Sequence, residues 1–501
     1  MTDPDLAGRV NRLSDTKRAL LERLLAQPEM AAAVGETGAG TALPSLVPAP
    51  LERHQPFPLT DVQQAYWVGR NAAFELGNIG AHSYVEIEVD DFDEHRFTRA
   101  LNRLVARHEM LRAVFTRDAE QRILPEVPAY VVRVADLREA GESELARHID
   151  ATRALMAHQL LAPDTWPLFE ICATRVSSTR ARLHISFDIL VADVQSIRVI
   201  SRDLAMLYQD PERRLEPIDV SFRDYVLATV RQRTSDAYRR SKAYWTARLP
   251  ALPPAPQLPV IRPERAIGRP QFVRRTGTLA PELWSAVKVR GQQIGVTPSA
   301  LVLTVFAEVL ARWSASPAFT INLTLYNRMP LHPQIDEVVG DFTSLTLLAV
   351  EHTECDTLEV RARKLQEQLW SDIDHRDFSG VEVLRALARA RRDRRAAAMP
   401  VVFTSNLLQH VPDTPPSSLG QVVYSLTQTP QVWLDHQVAE EAGALVFNWD
   451  AVEEIFPPGL LATMFDAYSE RLALLANSTP AWQRTVDLAP SCAHEPPLPR
   501  P

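Results

Sequence analysis

The stretch "RLHISFDILVADVQSIRVISRDLAMLY", residues 182–208, carries the decisive pattern of this chain. In its first third Leu183, Ile185, Phe187 and Ile189 fall on one side of an extended strand, and His184, Ser186 and Asp188 on the other. The period then changes. Val194, Ile197, Ile200, Leu204 and Leu207 recur at helical spacing, with Asp193 where an N-cap falls and Ser196 in the first turn. A strand that runs into a helix through a polar turn predicts a mixed α/β chain. Asp188, Asp193 and Ser196 sit at that junction, and two readings fit them: a helix cap worth about 1 kcal/mol, or part of a site.

The flanking sequence repeats the mixture. "AHSYVEIEVD" (81–90) alternates as a strand does, and "RFTRALNRLVARHEMLRAVF" (96–115) is patterned as a helix. With 501 residues, 46% of them hydrophobic, the chain is too long for one ordinary domain, so two globular lobes are expected. The proline cluster "LPALPPAPQLPVIRP" (249–263) suits neither helix nor central strand and marks a connector. The expected organisation is residues 1–48 as an N-terminal helix and linker, 49–235 as an N-terminal lobe, 236–487 as a C-terminal lobe and 488–501 as a linker tail. In the first segment Leu13, Leu20, Leu21, Leu24 and Leu25 share one side of a helix, which suits either a docking segment or a short capping helix.

Composition excludes several classes. A formal charge of -8 with 54 dispersed basic residues leaves no footprint for nucleic acid. No basic segment followed by an apolar run opens the chain and no run of 18 apolar residues occurs, so no membrane segment and a soluble, cytoplasmic protein are expected. Cys172, Cys355 and Cys492 lie far apart, unlike a disulfide framework or a zinc site. His108, His184 and His436 belong to no metal-ligand motif, and no metal is expected. Neither a G-x-S-x-G elbow nor a glycine-rich phosphate loop is present.

Two later segments carry more chemistry. "PVVFTSNL" (400–407) places Val402, Thr404 and Asn406 on one strand face. In "TQTPQVWLDHQV" (427–438), alternation puts Gln431, Trp433, Asp435 and Gln437 together and turns Val432, Leu434 and Val438 the other way. Two amides, an indole and a carboxylate make a poor core face. They suit the wall of a tunnel or, failing that, a solvent-exposed sheet face. "NLTLYNR" (322–328) similarly groups Asn322, Thr324 and Tyr326, followed by Asn327 and Arg328.

These residues resemble the heterocyclization domains of nonribosomal peptide synthetases, the ring-forming variant of the condensation domain. "PFPLTDVQQAYWVGR" (56–70) and "RHEMLRAVF" (107–115) are similar to the family's first two motifs. "DILVADVQS" (188–196) fits the D-x-x-x-x-D-x-x-S signature that replaces H-H-x-x-x-D-G of the amide-forming relatives. "LPPAPQLPVIRP", "TPSALVLTVFAEVLARW", "GDFTSLTLL", "PVVFTSNL", "TQTPQVWLDHQ" and "WDAVEEIFPPGLLATMFDAY" resemble the remaining motifs in order. One departure is local: where the family has a Gly-x-Gln turn this chain reads Ala119, Glu120, Gln121, and a turn needing positive φ would be strained there.

The resemblance implies an α/β fold of two chloramphenicol-acetyltransferase-like lobes in a V-shaped pseudo-dimer with a central tunnel. It implies upstream donor and downstream acceptor peptidyl carrier domains that supply phosphopantetheine arms, and an adjacent adenylation domain. No tightly bound cofactor is expected. It further implies amide formation, cyclisation and dehydration, with Thr404 and Asp435 as the catalytic pair, Asp435 moving protons. Asp193 is expected to pair with Arg328 in an architectural role, and Asp188 to line the tunnel, with Ser196 supporting the turn. Gln431, Trp433 and Asn327 complete the expected wall. Two other functions stay open: an enzyme of the same fold that only condenses, and a noncatalytic platform that receives carrier domains.

Overall fold

A computed structural model of the chain describes residues 46–70, 76–261, 270–351, 355–392, 397–407 and 419–485. The helix expected near residues 11–27 and the tail at 488–501 lie outside these. The strands in chain order are β1 (Phe57–Pro58), β2 (His82–Asp90), β3 (Ala113–Phe115), β4 (Glu120–Ile123), β5 (Arg133–Asp136), β6 (Phe169–Arg175), β7 (Arg180–Asp188), β8 (Phe272–Leu279), β9 (Ala318–Tyr326), β10 (Thr343–Glu351), β11 (Val401–Ser405), β12 (Gln421–Gln428), β13 (Leu434–Glu441) and β14 (Ala444–Val452). They form a small β1-β4-β3 sheet, a five-stranded sheet in the order β12-β2-β7-β6-β5, and a six-stranded sheet in the order β10-β9-β11-β13-β14-β8.

Each large sheet buries one face under helices, which gives two lobes. In the first, Phe97, Leu101 and Leu104 of helix Glu94–Arg107 and Ile200, Leu204 and Leu207 of helix Val194–Gln209 pack on Phe169, Ile171 and Leu183 of β6 and β7. Their spacing is helical on one side and alternating on the other, as the sequence predicts. In the second lobe, helix Pro298–Trp313 is buried along most of its length. Thr297 caps it by accepting from the Ala300 N–H, and Pro298 occupies the first turn, where a missing N–H costs nothing. Its Phe306 stacks near Phe403, His436 and Trp449 of the six-stranded sheet. No single helix among the described residues is long and apolar enough to cross a membrane.

The proline cluster lies within the second lobe, and β12 ties that lobe to the first. The cluster runs along the edge of the second core, where the Pro253 and Pro254 carbonyls accept from the Thr320 hydroxyl and N–H at 2.7 Å each. More consequential is β12, which pairs antiparallel with β2, Leu426 opposite Tyr84. A strand from the second half of the chain thus completes the sheet of the first, an exchange that a boundary near residue 235 does not anticipate.

The polar face of β7 departs from expectation. His184 and Ser186 are fully buried, and Asp188 nearly so, because helix Glu142–Met156 covers that face. Tyr84 donates to Glu86 at 3.0 Å and sits 2.8 Å from His184 Nδ1, while the Thr174 hydroxyl meets His184 Nε2 at 3.1 Å. Burial lowers the His184 pKa to about 4, so the ring is neutral and both nitrogens are used. This face is a satisfied polar core.

The turn before β4 does take positive φ, with Ala119 at 58°. Behind it Gln121 is fully buried, its amide exchanging hydrogen bonds with Gln63 at 2.8 and 3.1 Å. An L-residue pays about 1 kcal/mol for that left-handed conformation. Ala119→Gly is therefore expected to raise stability by roughly that amount, read as a higher urea midpoint with an unchanged denaturant slope.

Candidate active site at the lobe seam

The junction singled out in the sequence lies where the lobes meet. Asp193 caps helix Val194–Gln209 by accepting from the Ser196 N–H at 2.7 Å. The same Oδ1 accepts from Arg328 Nη2 at 2.8 Å across the seam. Cap and ion pair are both present. Arg328 also donates to Ser196 Oγ at 2.8 Å and to the Ile335 and Val338 carbonyls at 2.9 and 2.7 Å. Ser196 Oγ in turn accepts from the Gly340 N–H at 3.0 Å. Position 340 must lack a side chain, since a Cβ there would lie 2.2 Å from the Phe222 ring.

Asp188 is 2% exposed, its carboxylate held by Arg70 and by the Leu190 N–H at 3.1 Å. The strand expected through Gln431 and Trp433 is corrected. Strand β13 begins only at Leu434 and Gln431 has φ of 62°, so the alternation does not extend back through the turn. Trp433 packs against the second core.

The central expectation has a clear geometry. Register pairs Val402 with Asp435 and Thr404 with Gln437 between parallel β11 and β13. Val401, Phe403, Leu434 and Val438 enter the core, leaving Thr404, Asp435 and Gln437 on the opposite face. Thr404 Oγ1 lies 2.9 Å from Thr324 Oγ1 and 3.4 Å from Asp435 Oδ1, the latter long for a hydroxyl bond. Gln437 Nε2 donates to Asp435 Oδ2 at 2.7 Å. Tyr326, from the same face of β9, donates to Asn406 Oδ1 at 2.5 Å.

Electrostatics single out Asp435. Burial pushes its pKa up to about 7, opposed by the Gln437 hydrogen bond and reinforced by the Asp450 charge. A carboxyl so placed is divided between acid and base at neutral pH, the condition for moving a proton in either direction. Burial together with the Asp341 and Asp435 charges also holds the Tyr66 phenol well above its usual range. Tyr66, Asp341 and Asp435 therefore share one neighbourhood.

Sequence reasoning did not single out Asp341, although its position inside the apolar run "VVGDFTSL" was a usable signal. It lines a seam cavity of about 240 Å³, together with Asn327, Thr343, Asp61 and Tyr225. Its Oδ1 accepts from the Thr343 N–H at 3.1 Å, and Oδ2 has no partner among the described residues. Burial raises its pKa to about 8. The folded protein thus keeps a proton that the unfolded chain gives up near 3.8, and this stabilisation is lost as pH rises from there through 8. Asp341→Asn is expected to remove that loss: urea midpoints of variant and parent agree near pH 4 and diverge in the variant's favour by pH 9. No group of three or more His, Cys, Asp or Glu able to hold a metal occurs among the described residues.

A two-lobed α/β fold with a polar sheet face at the seam defines a class, and comparison identifies it. Residues 53–495 match the condensation domain family, and the chain belongs to it. It is 39% identical over 480 residues to pyochelin synthetase PchF of Pseudomonas aeruginosa, covering 95% of this chain and 25% of that protein. Phenyloxazoline synthase MbtB of Mycobacterium tuberculosis is 37% identical over 478 residues, 92% of this chain and 33% of that one. The chain thus spans about a quarter to a third of these relatives. Among solved structures, the EpoB cyclization-docking bidomain from Sorangium cellulosum matches with a TM-score of 0.81 at 39% identity, over 95% of this chain and 92% of that one. The fold is that of the two-lobed, chloramphenicol-acetyltransferase-like condensation domains.

Proposed function

We propose that this chain is a heterocyclization domain of a nonribosomal peptide synthetase. It joins a carrier-bound acyl or peptidyl thioester to a carrier-bound Cys, Ser or Thr, then closes and dehydrates a thiazoline or oxazoline ring. The names of the phenyloxazoline synthase and of the cyclization-docking bidomain support the ring-forming reading. The observation that carries it is Asp435, a carboxyl with a pKa of about 7, beside a threonine hydroxyl at the seam between lobes.

Three steps follow. The acceptor amine attacks the donor thioester carbonyl, forming a C–N bond and releasing the donor arm's thiol. Holding both reactants in place supplies much of this step, since oriented pairs reach effective molarities of about 10⁵ M or more. Next the side-chain sulfur or oxygen adds to the new amide carbonyl. The ring hydroxyl then leaves as water while nitrogen loses its proton and C=N forms. Hydroxide leaves poorly, so one group must protonate oxygen and accept the nitrogen proton. Asp435 is that group, and Thr404 orients the intermediate.

Donor and acceptor carrier domains are the partners in this reading, the arms they carry belong to the substrates, and an adenylation domain supplies the acceptor amino acid. The lobes are assigned to residues 49–235 and 236–487, with β12 crossing between them. Mass spectrometry of the acceptor carrier, loaded in turn with Cys, Ser and Thr, tests the function. The expected product is the amide less one water for at least one acceptor. An uncyclised amide with all three indicates condensation alone, and no acyl transfer indicates a carrier-docking platform.

A further inference from the structure

Asp435 is held by a polar assembly that reaches the other lobe. Gln437 Nε2 lies 2.7 Å from Asp435 Oδ2, 2.7 Å from Thr427 Oγ1 and 3.4 Å from Asp450 Oδ2. Gln437 Oε1 lies 3.4 Å from Arg274 Nη2. Asp450 is fully buried and paired with Arg274, whose Nε donates to Oδ1 at 2.7 Å and Nη2 to Oδ2 at 2.5 Å. Thr427 donates its hydroxyl to Asp450 Oδ2 at 2.5 Å and its N–H to the same oxygen at 3.1 Å. Thr427 belongs to β12, the strand that completes the first lobe's sheet.

This arrangement permits one orientation of the amide. Turned over, Gln437 would aim its carbonyl at two carboxyl groups and its N–H at a guanidinium, leaving donors facing donors. In the orientation present, an N–H points at Asp435 Oδ2, and of the two oxygens of a protonated carboxyl the carbonyl oxygen is the stronger acceptor. The carboxyl proton then belongs on Oδ1, the oxygen beside Thr404.

We propose that Gln437, locked by Arg274, Asp450 and Thr427, is a positioning residue that assigns the mobile proton of Asp435 to Oδ1 and so directs it to the ring intermediate. The inference rests on the heterocyclization reading. Because Thr427 comes from β12, proton placement also depends on the docking of that strand against the second lobe.

The test compares parent, Gln437→Leu and Gln437→Glu in complete reactions with loaded carriers, following amide and ring separately across pH. In Gln437→Leu, ring closure is expected to fall by about 10²-fold, the scale of a misplaced reacting group, and by more than amide formation falls. Its apparent pKa should move upward, because the N–H that favours the Asp435 carboxylate is gone. Gln437→Glu donates only while protonated, so its ring closure should fall steeply with rising pH. Thermal melts establish that each variant is folded, and if the Leu variant is not, the Glu profile decides. An unchanged pH profile, or equal losses of amide and ring, would overturn the proposal. A parent that forms amide without ring would instead remove the function beneath it.

Discussion

Asp435→Asn is expected to leave uncyclised amide on the acceptor carrier. Asparagine keeps the shape of the side chain but cannot accept and return a proton. Amide formation depends on positioning, and the variant leaves the seam contacts of Asp193, Ser196 and Arg328 intact. Ring formation should fall by about 10² to 10⁴, the usual contribution of a general acid or base. Amide formation should stay within about tenfold of the parent, since the effective molarity supplied by tethering is untouched. Time courses of both species from one reaction check this, because the ratio cancels differences in enzyme concentration. Equal losses of amide and ring would mean that Asp435 supports the fold rather than the dehydration.

Arg328→Met is expected to cause the largest loss of stability. The guanidinium makes four hydrogen bonds at 2.7–2.9 Å and lies 3.9 Å from the centre of the Phe342 ring. Removing it leaves the buried Asp193 carboxylate without its cation, and breaking such a pair costs about 3–5 kcal/mol. Against a total stability of about 5–15 kcal/mol this is a large share. The result should appear as a lower urea midpoint and poorer soluble yield. Asp193→Asn combined with Arg328→Met should recover part of the loss, since the second change removes the stranded charge. If the two losses simply add, the seam pair contributes little.

The sequence made the main elements legible where period and cap agreed. Residues 182–208 form a strand and a helix capped by Asp193, and the pairing of Asp193 with Arg328 across 135 positions came from the family resemblance rather than from local pattern. Thr404 and Asp435 were each readable on the polar face of their own strand, while their meeting came from the family resemblance. Besides Asp341 and the crossing of β12, other features escaped, each for a physical reason. The burial of the polar face of β7 had no local signal, because the covering helix brings Arg153 to within 2.6 Å of Glu86 from a distant part of the chain. Gln431 was placed in the strand although Pro430 precedes it, and proline with its neighbours favours a turn. The Arg274–Asp450 pair joins residues 176 positions apart, and only the antiparallel register of β14 and β8 brings them together.

The central claim is that Asp435 moves protons during dehydration. Its most direct test bypasses condensation: a carrier loaded with the preformed, uncyclised acyl amide of whichever of Cys, Ser or Thr the parent cyclises is given to parent and to Asp435→Asn, and its mass is followed with time. The account predicts that the parent removes one water while the variant leaves the substrate unchanged over the same period. Equal rates of water loss from the two proteins would contradict it.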